Sequence, residues 1–393
     1  MHRSFLFLMV TAAALFAWKP AGAQDYKELM IPFYSESLRI TYSPSFLSPG
    51  KPAINDRALS QHFHALSKTD FAPLLRSLNQ SKKLFQLNDW LYFRLMRKAL
   101  GQLYAGRSNV EIELACWFLL SQAGYDTRLA YLEEEAFVYV YTQDAVFEAP
   151  VIEDNGRQYV NLTNIRAGAG KQRALYLLNF NPNINGNAFS FRLDKLPLLR
   201  PSETTLKVRF LYQNQWHELE AKADRTIRDY MAEYPLIDES QYLDVPLSTT
   251  LFESLMPQLQ QLVKGKSEWE IAEILAAFTR SAFAYKEDKE YFGYSKPMVA
   301  EEVFLYPYSD CEDRSALFVR LANELLRLPM IVMAYPDHLT VGVALPQTKA
   351  GFIRYKSTAY YICDPTGPVN SPVVGEVPEG YEKAAFEVIK EYK

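Results

Sequence analysis

The chain reads as an α+β protein, and three observations point there. Helix-period apolar patterns at 71–78, 89–104 and 110–123 are followed by β-prone runs at 128–131, 136–141 and 158–162. The same order returns after residue 250, with helical patterns before and after Cys311 and β-prone runs at 330–334, 339–345 and 358–363. Between the two, residues 166–250 look β-rich.

Each element has its own justification. Residues 1–23 have the make-up of a secretory signal peptide: Arg3 in a short n-region, an apolar run over 5–18, and Ala21-Gly22-Ala23 before Gln24. The run is short for a bilayer span and no cysteine follows the cleavage site, so neither a membrane anchor nor a lipid anchor is indicated. Cleavage removes Arg3 and Lys19 and takes the net charge from −4 to −6. That mild acidity argues against nucleic acid or an anionic membrane as the main partner. The 393-residue chain has only three cysteines, Cys116, Cys311 and Cys363, too few for a disulfide scaffold. A signal with few cysteines suits a bacterial periplasm or the cell exterior.

Residues 24–55 look extended and loop-rich, with Pro44, Pro49 and Pro52. His62 and His64 alternate as on a strand, and with no third ligand nearby no metal set is read. Residues 79–83 and Asn155-Gly156 read as turns, and Glu133-Glu134-Glu135 as a hairpin tip. Runs at 176–180 and 188–193 flank Asn185-Gly186, and runs at 206–212 and 216–221 flank Asn214; each predicts a hairpin. Residues 226–234 form a short helix or an irregular connector, 248–263 a helix, and 265–267 a joint. Gly168-Ala169-Gly170-Lys171 lacks the spacing of a phosphate loop. The division expected is a signal peptide (1–23), an N-terminal α/β domain (24–165), a β-rich middle (166–250) and a C-terminal domain (251–393).

The chemistry concentrates in the last of these. Cys311, His338 and Asp364 appear in that order within Ser309-Asp310-Cys311-Glu312-Asp313-Arg314, Pro336-Asp337-His338-Leu339-Thr340 and Tyr361-Ile362-Cys363-Asp364-Pro365-Thr366. A thiol, an imidazole and a carboxylate are the groups that covalent acyl chemistry needs. Ser309 or Asp310 caps a helix and puts Cys311 in its first turn, where dipole and free amides favour a thiolate. Glu312 and Asp313 suit the helix but oppose that thiolate. His338 falls where a strand begins, and Asp364 where the next β-prone run ends in a turn. Taken singly, a cysteine in an amphipathic helix is ordinarily a small buried hydrophobe, and an isolated histidine is ordinarily structural. Their order and local settings favour a site.

With these residues the chain resembles the transglutaminase-like cysteine-hydrolase superfamily, over roughly residues 267 to 367. The resemblance implies a papain/transglutaminase-like unit: a helix started by the cysteine, then an antiparallel sheet carrying histidine and acid. It implies Cys311 as nucleophile, His338 as general base and Asp364 as the orienting acid, with no cofactor. The family's tryptophan just before the cysteine is missing; Tyr308 or Tyr285 stands in for it, and the oxyanion donor stays open among these, Asp310 and the Cys311 amide. A degenerate copy of the unit is expected at the N-terminus, with Ser108 to Val110 at the cysteine position, Glu134 or a neighbour at the histidine position and Asn161 at the acid position. Chance recurrence of generic helix and strand patterns is the bland alternative.

The implied function is an exported cysteine-dependent hydrolase or acyltransferase acting on peptide or protein amides, a cell-envelope peptide among them. The alternative is a non-catalytic binding or scaffold protein on the same fold. Hydrolysis versus transamidation, and oligomeric state, are not legible from the chain. No carboxylate pair at glycosidase spacing is identifiable.

Overall fold

The computed structural model describes residues 25–165, 174–346, 351–366, 373–378 and 380–393; the expected signal peptide and the Gly168–Lys171 stretch lie outside the described residues. Strands β1 (Lys27–Phe33) and β2 (Glu36–Tyr42) form a hairpin turned at Tyr34, and bury Ile31, Phe33, Leu38 and Ile40. Helices α1 (Asp56–Ser67), α2 (Ala72–Leu84), α3 (Asp89–Leu103) and α4 (Asn109–Gln122) follow. Asn55 and Asn88 cap α1 and α3 by accepting the amides of Ala58 and Leu91, and Ser108 with Glu111 forms a capping box on α4.

Two expectations fail here. His62 and His64 lie on α1, because the Asn55 cap starts a helix that buries Leu59, His62, Phe63 and Leu66 at helical spacing. Burial pushes the His62 imidazole down from its ordinary value. Residues 79–83 are no turn: α2 continues through them, with Leu74, Ser77, Leu78 and Ser81 on one buried face and the Ser77 hydroxyl taking the Thr41 amide of β2.

Strands β3 (Thr127–Leu132), β4 (Glu135–Tyr141), β5 (Val151–Asp154), β6 (Arg157–Asn161) and β7 (Tyr176–Leu177) make an antiparallel sheet in the order β5-β6-β4-β3-β7. Asn155 and Gly156, both with positive φ, make the β5–β6 turn. The hairpin expected across Asn185-Gly186 does not form. Only β7 pairs, with β3. The amides of Ser190 and Phe191 go instead to the carboxylates of Asp89 and Asp144, which lets Phe189 and Phe191 fill the first core.

A second series then runs in the same order. It comprises hairpin β8 (Glu203–Tyr212) and β9 (Gln215–Asp224), short helices α5 (Arg225–Met231) and α6 (Glu239–Tyr242), and helices α7 (Thr249–Val263) and α8 (Glu268–Ser281). Next come β10 (Ala284–Tyr285), α9 (Asp288–Tyr291), β11 (Tyr308–Ser309) and α10 (Cys311–Leu325). Strands β12 (Met330–Tyr335), β13 (His338–Val343), β14 (Ile353–Tyr355), β15 (Thr358–Ile362) and β16 (Glu387–Tyr392) close the chain. Their sheet order, β14-β15-β13-β12-β16, repeats that of the first sheet strand for strand.

The fold is therefore α+β, built as hairpin, helices and five-stranded sheet, twice. The segment expected as a β-rich middle has no core of its own among the described residues. Leu178, Phe189, Phe191 and Tyr230 join the first core, whereas Val208, Phe210, Leu219 and Ala221 join the second. The β8–β9 hairpin packs on α7 and α8 as β1–β2 packs on α2 and α3, with the Phe210 ring edge-on to Phe278. No helix among the described residues is long and apolar enough to cross a membrane.

Candidate active site

Asp310 turns the chain from β11 into α10. Its carboxylate and that of Asp313 form a reciprocal capping box, so Cys311 is the first helical residue. There its own amide has no intrahelical acceptor, and the helix dipole favours a negative sulfur. The side chains around it act the other way. The thiol is buried and donates to Glu312 Oε2 at 2.9 Å. Burial first, then Glu312 and Asp310, hold it well above its ordinary 9.0; the Leu339 amide, bonded to the sulfur, opposes them.

His338 opens β13 and pairs across the tight turn with Tyr335 of β12. Its Nε2 faces Asp364 Oδ1 at 3.5 Å, with the two side chains 8% and 1% exposed, and makes no hydrogen bond among the described residues. Asp364 lies two residues past β15, which pairs directly with β13. Its Oδ1 accepts the Thr366 hydroxyl at 2.7 Å and the Thr366 amide at 3.1 Å. Because the residue after His338 supplies the amide on the Cys311 sulfur, the start of α10 and the start of β13 meet at one point. The Ser315 hydroxyl fixes the same crossing by donating to the Leu339 carbonyl at 3.3 Å.

Arg314 braces this point from behind. Fully buried, it donates to Ser309 Oγ at 3.1 Å and to the carbonyls of Arg280 (3.1 Å), Phe283 (2.6 Å) and Thr366 (2.8 Å). It thereby ties the strand before Cys311, the end of α8 and the turn after Asp364. Arg280 adds a bond to the Asp364 carbonyl at 2.8 Å.

The remaining candidates are near but differently occupied. Tyr285 and Tyr308 sit on the parallel pair β10–β11. The Tyr285 ring lies 5.1 Å from the Arg314 guanidinium and its hydroxyl donates to Glu287; the Tyr308 ring packs edge-on to Tyr291. Asp310 serves as the helix cap. Burial first, then Asp313, Glu312 and Asp288, hold its carboxyl far above the usual range, and Asp288 is pushed up to about 6, again chiefly by burial.

Tyr381 belongs to the site and has no sequence signal: it stands in a loop far from the three motifs. Its ring stacks on His338 at 5.2 Å and its hydroxyl donates to Asp337 at 2.8 Å. Burial first, then the hydrogen bond to Asp337 and its charge, push it up to about 12.

Among the described residues the first repeat carries no such constellation. The two capping boxes align Asn109 with Cys311, and the pair Leu132–Glu135 aligns Glu135 with His338. The pair Tyr139–Asn161 matches Gly342–Ile362, so Thr163, not Asn161, stands at the Asp364 position. The expectation slipped by two residues because Asp364 lies beyond the last paired residue of β15. Thr163 donates to Glu113, itself paired with Arg97, which makes this site a buried ionic tie. Cys116 and Cys363 are free, buried thiols.

No protein-family model, curated protein or solved structure matches the chain.

Proposed function

We propose that this chain is an exported cysteine-dependent hydrolase or acyltransferase acting on amide bonds through a Cys311 thioester, on a transglutaminase-like unit. One observation carries the reading: a thiol at a helix start meets a strand that opens with an imidazole, whose Nε2 faces a buried carboxylate at 3.5 Å. With Nε2 turned to Asp364, Nδ1 is the nitrogen left for the thiol proton. The sulfur attacks the amide carbonyl carbon as His338 takes its proton. His338 returns that proton to the departing amine, and a thioester remains. Water, activated by the same imidazole, releases the acid; a second amine in its place gives transamidation. The free amide of Cys311 is the available donor for the developing oxyanion. Peptide or protein amides are the substrate class, cell-envelope peptides among them.

The test is intact-mass trapping with p-nitrophenyl acetate. One acetyl group per chain is expected, on Cys311, absent in Cys311→Ala and slower in Asp364→Asn. Acetylation of Cys311→Ala to the same extent sinks the mechanism. One feature favours the second reading, a binding or scaffold protein: the resting thiol is bonded to Glu312 and held neutral. On that reading Cys311→Ala leaves all measurable behaviour intact.

A further inference from the structure

We propose that the groove between the two repeats holds the substrate, a peptide with a basic side chain beside the scissile amide and an aromatic side chain farther along; this rests on the cysteine chemistry proposed above. Two cavities form the groove. One, of about 340 Å³, is walled by Phe147, Met231, Pro235, Tyr294 and Pro297. The other, of about 510 Å³, is walled by Asp238, Glu239, Glu387, Val388 and Ile389. Both include Phe147, Leu236 and Ser295, so they run into each other. Each has the size of a small-ligand site, roughly 300–1,000 Å³. The segments that meet here are held in place: the Phe147 amide donates to the Leu236 carbonyl at 2.8 Å, and Val146 bridges to Ile237.

The acidic cavity adjoins the thiol by two independent routes. Glu239 is close enough to Glu312 to feel its charge, and Glu312 accepts the Cys311 thiol at 2.9 Å. Glu387 opens β16 and pairs with Ala334, the neighbour of Tyr335, which pairs with His338. The segment carrying Ser295 and Pro297 is tied in as well: the Lys296 amide goes to Asp288, whose own amide goes to the Asp310 cap of α10. Charge and shape then select the occupant. No lysine, arginine or histidine is among the residues walling the acidic cavity. Glu239 and Glu387 have no ion-pair partner among the described residues. Partial burial, then the charges of Glu312 and Asp238, raise the Glu239 carboxyl above its ordinary value, and a cation seated there relieves that repulsion. At the other end Phe147 and Tyr294 are 48% and 51% exposed on a wall otherwise rich in proline and methionine. Apolar surface of this kind suits an aromatic side chain. Lys296, the lysine on that wall, is already paired with Glu302 at 2.8 Å. The basic group of the substrate is held by carboxylates and takes no part in the acyl transfer.

Fluorescence polarisation of fluorescein-labelled Ala-Gly-Arg-Ala-Ala-Phe-Ala with Cys311→Ala tests the groove apart from the thiol, whose own test is the acetyl trapping above. Saturable binding is expected, at least about tenfold tighter than for the peptide with glutamate in place of arginine. Glu239→Gln together with Glu387→Gln should remove most of that preference; both side chains are exposed, so the fold is not at stake. Phe147→Ala should weaken binding about threefold or more and keep the arginine preference. In the wild type the same peptide should slow Cys311 alkylation by iodoacetamide several-fold. Absence of saturable binding overturns the proposal. So does an arginine preference that survives the double substitution, which would reflect only the net negative charge of the chain. Binding that leaves Cys311 alkylation unchanged places the groove away from the thiol and overturns its role as the substrate site.

Discussion

Replacing Arg314 by Met tests the bracing of the candidate site. The side chains are similar in length, so little volume changes, but four hydrogen bonds disappear. The Thr366 carbonyl is left fully buried without this donor, and those of Arg280 and Phe283 partly so. Each stranded buried acceptor costs about 1–3 kcal/mol, offset because a guanidinium no longer has to be desolvated. The expected net loss is about 3–5 kcal/mol, well outside the range of ordinary surface substitutions. Urea unfolding followed by far-UV circular dichroism reads it directly. Arg314→Lys should recover only part, since one ammonium cannot reach four acceptors spread around a planar fork. A loss under about 1 kcal/mol for Arg314→Met would refute the argument that this residue holds β11, α8 and the Asp364 turn together.

Other outcomes follow from the same geometry. Glu301 is buried among the amides of Asp224 and Ser248, and burial pushes it up to about 7 from 4.5. Its folded value lies above its unfolded one, so the fold binds the extra proton between those values. Its contribution, on the order of 3 kcal/mol, is present below about pH 4.5 and lost as pH rises through about 7. Urea midpoints at about pH 5 and 8 should therefore diverge less in Glu301→Gln than in wild type, and equal divergence contradicts the assignment. In native protein Cys116 and Cys363, both 0% exposed, should resist maleimide and react only on unfolding; peptide mapping that finds either labelled before Cys311 counts against the packing. Tyr381→Phe should keep the stack on His338 and most of the acetylation rate, whereas Tyr381→Ala should lose several-fold; equal rates in both would show that the stack does not orient the imidazole.

What could be read from the chain was what local chemistry dictates. Asp310 before an apolar helical pattern locates Cys311 in a first turn, and Asn155-Gly156 fixes a hairpin, whichever parts of the fold surround them. The strand-start position of His338 and the turn after Asp364 were legible for the same reason. The failures needed partners distant in sequence. Residues 188–193 look like a strand until Asp89 and Asp144, roughly 100 and 45 residues upstream, take their amides. The β8–β9 hairpin looks like part of a separate layer until Phe210 meets Phe278 of α8. Tyr381 over His338, and Asp288 beside Asp310, are juxtapositions that only the folded chain creates.

The measurement that bears most directly on the thiol–imidazole pair is the rate of Cys311 alkylation by iodoacetamide, mapped by mass spectrometry in wild type and His338→Ala. Loss of at least about tenfold in the variant, with circular dichroism unchanged, is the result expected if His338 draws the thiol proton. Identical rates in the two proteins would contradict it and make Cys311 a structural thiol.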